Sequence, residues 1–279
     1  MTVREAIAGG TRKLAGNLEL QAGAARDAEM LLLHELGISR AGLLAHPERV
    51  LVDAELARYE ANLARRLACE PIQYIVGEQE FYGLRLRVTR DVLIPRPETE
   101  HLVEAVLARL RGAVRVLDVG TGSGAIALAL AANLPEASVT AVDLSPAALA
   151  VAAGNAQTLG LVGRVRFLES DLLGAVRGEV FDAVVSNPPY VPEGDRTGLA
   201  AQVREFEPEL ALFGGASGMN VYERLIPQAA LALKVGGLLA MEIGYGQREA
   251  IAALLSGWAG VSFVDDLQGI ARVVLARRG

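Results

Sequence analysis

The sequence has one cysteine, Cys69, three histidines and one tryptophan among 279 residues. A single cysteine excludes an internal disulfide framework and any Cys-x-x-Cys metal site. His34, His46 and His101 are scattered along the chain, which argues against a zinc or iron centre. No apolar run reaches the ~20 residues that span a bilayer. The opening "MTVREAIAGG" has no apolar core of the signal-peptide kind. These absences lead to the expectation of a cytoplasmic monomer without a membrane partner. Basic residues are also in deficit, 27 Lys and Arg against 33 Asp and Glu, for a net charge of −6. Duplex DNA binding needs clustered Lys and Arg, so no stable nucleic-acid partner is expected.

What is present falls into three stretches. Residues 1–72 repeat apolar positions at helical spacing in "REAIAGGTRKLA", "AARDAEMLLLHEL" and "DAELARYEANLARRLA". Gly37 fits a helix end, Ser39 a helix start and Asp53 an N-cap. With near-balanced charge and no converging polar cluster, this stretch predicts a small helical bundle that serves for substrate docking. Residues 73–97 change character: "LRLRV" alternates with period two and Tyr82-Gly83 suits a turn. A β-hairpin is expected there, followed by a stiff "IPRPETE" that acts as a hinge. Residues 98–279 alternate strands and helices, with "VRVLDV", "SVTAVDL", "RVRFLESD", "FDAVVSN" and "GGLLAMEI" as the strands. Such βα repetition implies a doubly wound, mostly parallel sheet. The tail "VSFVDDLQGIARVVLARR" reads instead as two strands joined around Gly269, hence an antiparallel pair.

Ligands of open parallel sheets bind beyond the carboxyl ends of the strands. The first strand ends in "DVGTGSGA", with Asp118, Gly120, Gly122 and Gly124; the next three end at Asp143, Asp171 and Asn187. A glycine loop before a helix lets backbone approach a ligand. Asp143 lies where an acid accepts hydrogen bonds from a ribose, although taken alone it reads better as an N-cap for the next helix. Asp118 at the mouth of the loop would repel a diphosphate and attract a ligand carrying an ammonium and a sulfonium. S-adenosyl-L-methionine has both.

"VLDVGTGSGAIALALA" resembles the first motif of class I S-adenosylmethionine-dependent methyltransferases, and "SNPPY" the motif of those that methylate planar nitrogens. With "PIQYIVG", "FYGLRLRV", "LIPRPETE", "EPELALFGG" and "DLQGIARVV", the chain resembles the release factor glutamine methyltransferase family (PrmC/HemK) from about Pro71 to Val274. The resemblance implies a seven-stranded sheet with an antiparallel last strand. It implies transfer of a methyl group to the N5 of the Gly-Gly-Gln glutamine in peptide chain release factors. It also implies a cofactor cradle of Gly120, Thr121, Gly122, Ser123 and Gly124, with Asp118 and Asn187 against the cofactor. Asp143 then holds the ribose, and Asp171 and Leu172 border the adenine. Leu172 stands where the family commonly has an aromatic residue. Asn187, Pro188, Pro189 and Tyr190 would hold the glutamine. Arg96 and Glu98 either line the substrate entrance or pair with each other.

The chemistry of the corner follows from its residues. Two consecutive prolines fix φ and remove donors, so the sheet ends there and Asn187 is held at its edge. An amide nitrogen is a weak nucleophile because its lone pair is delocalised. The Asn187 side-chain oxygen and the Pro188 carbonyl can hold its two N–H bonds and strengthen as the nitrogen gains positive charge. Tyr190 can stack on the flat amide. The competing reading is a DNA or RNA amino-methyltransferase, which shares this motif but needs a basic cleft and a region that reads a flipped base. Glu242, at the end of the fifth strand, and the long segment Val191 to Ser217 remain as further candidates.

Overall fold

The computed structural model describes residues 1–279, and the chain divides into two compact units. One comprises residues 1–78 with the short insertion Leu199–Phe206; the other comprises Gln79–Gly198 and Glu207–Gly279.

The first unit is helical, with long helices Val3–Ala15, Ala24–Leu36 and Asp53–Leu67 and shorter ones at Arg40–Ala45 and Ile72–Val76. Their apolar stripes enclose Leu14, Leu31, Leu32, Tyr59 and Leu63. Gly37 ends its helix in the left-handed conformation, and the Ser39 hydroxyl accepts from Gly42 N–H to start the next. Asp53 is not the cap expected of it. It is the first helical residue, and the Val52 N–H is satisfied instead by the Glu55 carboxylate at 3.1 Å. A buried Arg66–Asp27 pair at 2.8 Å ties two helices together. Within this unit the Ala201 N–H donates to the Glu19 carboxylate.

The second unit begins with a hairpin of β1 (Glu78–Phe81) and β2 (Leu84–Arg87). Tyr82 and Gly83 between them both have positive φ, as a two-residue primed turn requires. Seven further strands form one sheet: β3 (Arg115–Val119), β4 (Ser138–Asp143), β5 (Val165–Glu169), β6 (Phe181–Ser186), β7 (Leu233–Glu242), β8 (Ala259–Asp265) and β9 (Ala271–Arg277). Their spatial order is β5-β4-β3-β6-β7-β9-β8. β3 to β7 pair in parallel, and β9 inserts antiparallel between β7 and β8. The central β3 is buried from Val116 to Val119, as a strand covered on both faces must be. The helix after it, Ala125–Asn133, is apolar all round and buried from Ala125 through Ala131.

The chain runs outward from β3 to β4 and β5, then returns to place β6 on the other side of β3. That reversal opens a crevice at the carboxyl ends of β3 and β6, where open α/β sheets bind ligands.

Candidate active site

A cavity of about 1040 Å³, counting its open mouth, lies at those strand ends. Gly120, Gly122, Asp143, Asp171, Leu172, Asn187 and Pro189 all line it. The four strand ends singled out in the sequence therefore do converge.

The glycine loop divides its work. Gly120 and Gly122 face the cavity with φ of 74° and 56°, values that a side chain rarely adopts. Thr121 and Ser123 are turned inward and buried, at 5% and 3% exposure, so they do not line the cavity as expected. The Thr121 hydroxyl donates to Asp118 Oδ2 at 2.6 Å, and the Ser123 carbonyl accepts from Asn155. Gly124 likewise faces protein. A Cβ there would sit 3.1 Å from that of Ala152, so it serves close helix packing.

Asp118 is fully buried on β3, directly before the lining residues Val119 and Gly120. Its Oδ2 accepts from Thr121 and from the Ala127 N–H, whereas Oδ1 is buried without any donor. Burial pushes its pKa up to about 7, against the pull of those two hydrogen bonds and with a smaller push from Asp143. Asp143 accepts the Gly122 N–H on one oxygen and the Ser145 N–H on the other, which rigidifies the loop. Ser145, not Asp143, caps the helix that follows. Asp171 is exposed and paired with Arg224 at 2.6 Å. Leu172 holds a φ of 50°, uncommon outside glycine.

The cavity thus carries three carboxylates, Asp91, Asp143 and Asp171, against the single Arg224, with the orphaned Asp118 oxygen behind them. Such a site favours a cationic ligand with a donor group. S-adenosylmethionine fits on both counts. Asp118→Asn should weaken its binding by about ten- to hundredfold, the cost of a hydrogen bond to a charged group. The same substitution should stabilise the free protein at alkaline pH. An acid whose folded pKa lies above its unfolded value takes up a proton on folding, so stability falls as pH rises from about 4 to 7. Thermal melts at acid and alkaline pH, with calorimetric cofactor titration, check both signs.

The corner after β6 is held from several sides. Asn187 Nδ2 donates to Thr99 Oγ1 at 3.1 Å, leaving its Oδ1 without a protein donor. Pro188 is buried, and its carbonyl receives no hydrogen bond within the chain. The Tyr190 hydroxyl donates to Glu242 Oε1 at 3.4 Å, and its carbonyl accepts from Gln247. Desolvation and the nearby Glu242 charge push the Tyr190 pKa up.

Arg96 and Glu98 do not pair with each other, nor do they line the cavity. Arg96 pairs with the buried Glu207, which also accepts the Ile94 N–H. Glu98 is exposed. The cavity wall that sequence reading left unassigned comes from Asp91, Val92 and Leu93 and from Pro208, Leu210, Ala211 and Phe213. The second stretch carried a signal as part of an unusually long connection, whereas residues 91–93 lay unmarked between the hairpin strands and the proline-stiffened hinge that starts at Ile94.

This sheet order, with its glycine loop and acidic strand ends, defines a class I S-adenosylmethionine-dependent methyltransferase. A PrmC N-terminal domain matches residues 5–77 and a methyltransferase small domain matches residues 97–205. A release factor glutamine methyltransferase of Koribacter versatilis is 50% identical over 254 residues, covering 90% of each chain. One from Moorella thermoacetica is 45% identical and covers 100% of this chain and 99% of its own. A methyltransferase structure from Pyrococcus furiosus superposes with a TM-score of 0.55 at 18% identity, covering 80% of this chain and 99% of that one, a likeness of fold. The chain belongs to the release factor glutamine methyltransferase family.

Proposed function

We propose that this protein methylates the N5 of the Gly-Gly-Gln glutamine in peptide chain release factors, with S-adenosyl-L-methionine as methyl donor. The observation that carries the reading is Asn187 on the cavity wall, its Nδ2 spent on Thr99 and its Oδ1 left to accept. When bound, the cofactor supplies an electrophilic methyl group on a sulfonium. Gly120, Gly122, Asp118 and Asp143 would hold it, with Asp171 and Leu172 at its far end.

The chain's own residues prepare the other reactant. Asn187 Oδ1 and the Pro188 carbonyl accept the two N–H bonds of the glutamine amide and fix its plane. Because both acceptors sit on a proline-stiffened corner, their positions cost nothing to reorganise as positive charge develops on the nitrogen. No general base is needed before transfer, since the proton leaves an already cationic nitrogen. Tyr190 does not itself line the cavity; it follows Pro189, which does, and its phenol is tethered to Glu242.

The test is methyl transfer from labelled cofactor to purified release factor, beside duplex DNA and RNA. Label on the glutamine of the release factor is expected. Label only on nucleic acid would establish the competing amino-methyltransferase reading.

The N-terminal unit serves docking in this account. It presents an apolar groove lined by Val3, Ile7, Leu43, Leu44 and Pro47, with Leu44 65% exposed. Leu44→Asp should raise KM for the intact release factor by up to about tenfold, the effect of losing one apolar contact. Transfer to a short Gly-Gly-Gln peptide should be unchanged. Equal KM for the intact protein in both forms would remove the groove from the account.

A further inference from the structure

Behind Asn187 runs a chain of polar side chains that the roles above leave unused. Asn187 Nδ2 donates to Thr99 Oγ1 at 3.1 Å, and Thr99 Oγ1 donates to Glu242 Oε2 at 2.6 Å. The second carboxylate oxygen, Oε1, accepts from the Tyr190 hydroxyl. Thr99 and Glu242 are 4% and 3% exposed, and three separate elements meet here: the turn Pro97–Thr99, the end of β6 and the last residue of β7. A carboxyl group is costly to bury, yet this one spends both oxygens on groups attached to the Asn-Pro-Pro-Tyr corner.

The direction of the chain has a consequence. A carboxylate only accepts, so Thr99 must give its single hydroxyl proton to Glu242. The Thr99 oxygen can then only accept, and it can face only the NH₂ end of Asn187. The oxygen end of that amide is thereby left for the substrate. If Glu242 takes up a proton on Oε2, the oxygen facing Thr99, it donates to Thr99 instead. Thr99 is then free to donate to Asn187 Oδ1, and the flipped amide presents N–H groups where acceptors are needed.

We propose that Glu242 is a positioning residue which, as a carboxylate, sets the orientation of the Asn187 amide through Thr99 and holds the Tyr190 ring beside it. The inference rests on the acceptor role given to Asn187 above. Burial pushes Glu242 up to about 7, while the hydrogen bonds from Thr99 and Tyr190 and the Arg272 charge pull it down and Glu98 pushes it further up. From the neighbouring helix, Tyr222 donates to the Glu242 carbonyl rather than to its carboxylate. The chain is therefore polarised correctly above about pH 7 and loses that polarity below it.

Single-turnover methyl transfer to a release factor, at saturating cofactor and from about pH 5.5 to 9, separates this role from simple packing. The parent rate should fall as pH drops through about 7. Thr99→Val keeps the shape, removes the hydroxyl, and should slow transfer by about ten- to hundredfold with cofactor affinity unchanged. Thr99→Ser should restore most of the rate. Glu242→Gln cannot change its donor character with pH, so its slower rate should be flat across the same range. Persistence of the acid limb in Glu242→Gln would overturn the proposal. A parent-like Thr99→Val beside an impaired Asn187→Ala would overturn it while leaving the acceptor role intact. A parent-like Asn187→Ala would overturn both.

Discussion

Asn187→Ala should reduce methyl transfer by about 10²–10³, the usual cost of removing one directed contact that strengthens in the transition state. Cofactor affinity should change far less, because the glycine loop, Asp118 and Asp143 are untouched. The alanine also strands the Thr99 hydroxyl oxygen, which loses its donor. Asn187→Asp is the more informative partner. It keeps an acceptor oxygen but cannot donate to Thr99, and it places a second carboxylate near buried Glu242. It should fall between alanine and parent, with a loss that deepens where Glu242 is ionised. Single-turnover rates with calorimetric cofactor binding separate chemistry from affinity. Parent-like transfer by Asn187→Ala, or equally dead alanine and aspartate variants, would remove the acceptor role.

The parts of this site that were legible in the sequence are those specified locally. A run of β-branched and apolar residues followed by two prolines marks a strand and its end, whatever lies elsewhere. That is why Asn187 could be placed at the edge, and Gly120, Gly122 and Asp143 with it. The hairpin was legible for the same reason, since Tyr82-Gly83 sits between short alternating runs. The illegible parts depend on partners far along the chain. Arg96 has Glu98 two residues away but bonds to Glu207. Thr121 and Ser123 look like ligand-facing polar residues of a loop. The Thr121 hydroxyl turns inward to a buried Asp118 oxygen, and the Ser123 backbone carbonyl is taken by Asn155 on another helix. Glu242 was visible only as an acid closing a strand. Its meaning comes from Thr99 and Tyr190, which the fold alone brings to it. Asp53 was misplaced by one residue because the cap acceptor is Glu55, inside the first turn.

The second large effect is expected at a residue that touches no reactant. Gly214→Ala should slow methyl transfer by about 10²-fold, the penalty for moving a reacting geometry by about an ångström. Gly214 needs no side chain for reasons of closeness. A Cβ there would lie 2.5 Å from the Pro189 carbonyl oxygen and 2.7 Å from that of Gly218. Both obstacles are backbone, so neither can swing aside as a long side chain would. The segment is also pinned, since the Gly214 N–H donates to the Val191 carbonyl and the Val191 N–H to the Leu212 carbonyl. Relief must come from shifting the chain on one side or the other. On one side that chain is the Asn-Pro-Pro-Tyr corner itself, whose Pro188 carbonyl lies one residue before the displaced group. Gly194→Ala, in the same connecting segment but with no atom within 4 Å of the added carbon, should behave as the parent. Thermal melts would confirm that both variants remain folded, and single-turnover rates would read the chemistry. A folded Gly214→Ala that transfers methyl groups at the parent rate would mean that the corner tolerates displacement, and that the rigidity of the two prolines is not what positions the acceptors.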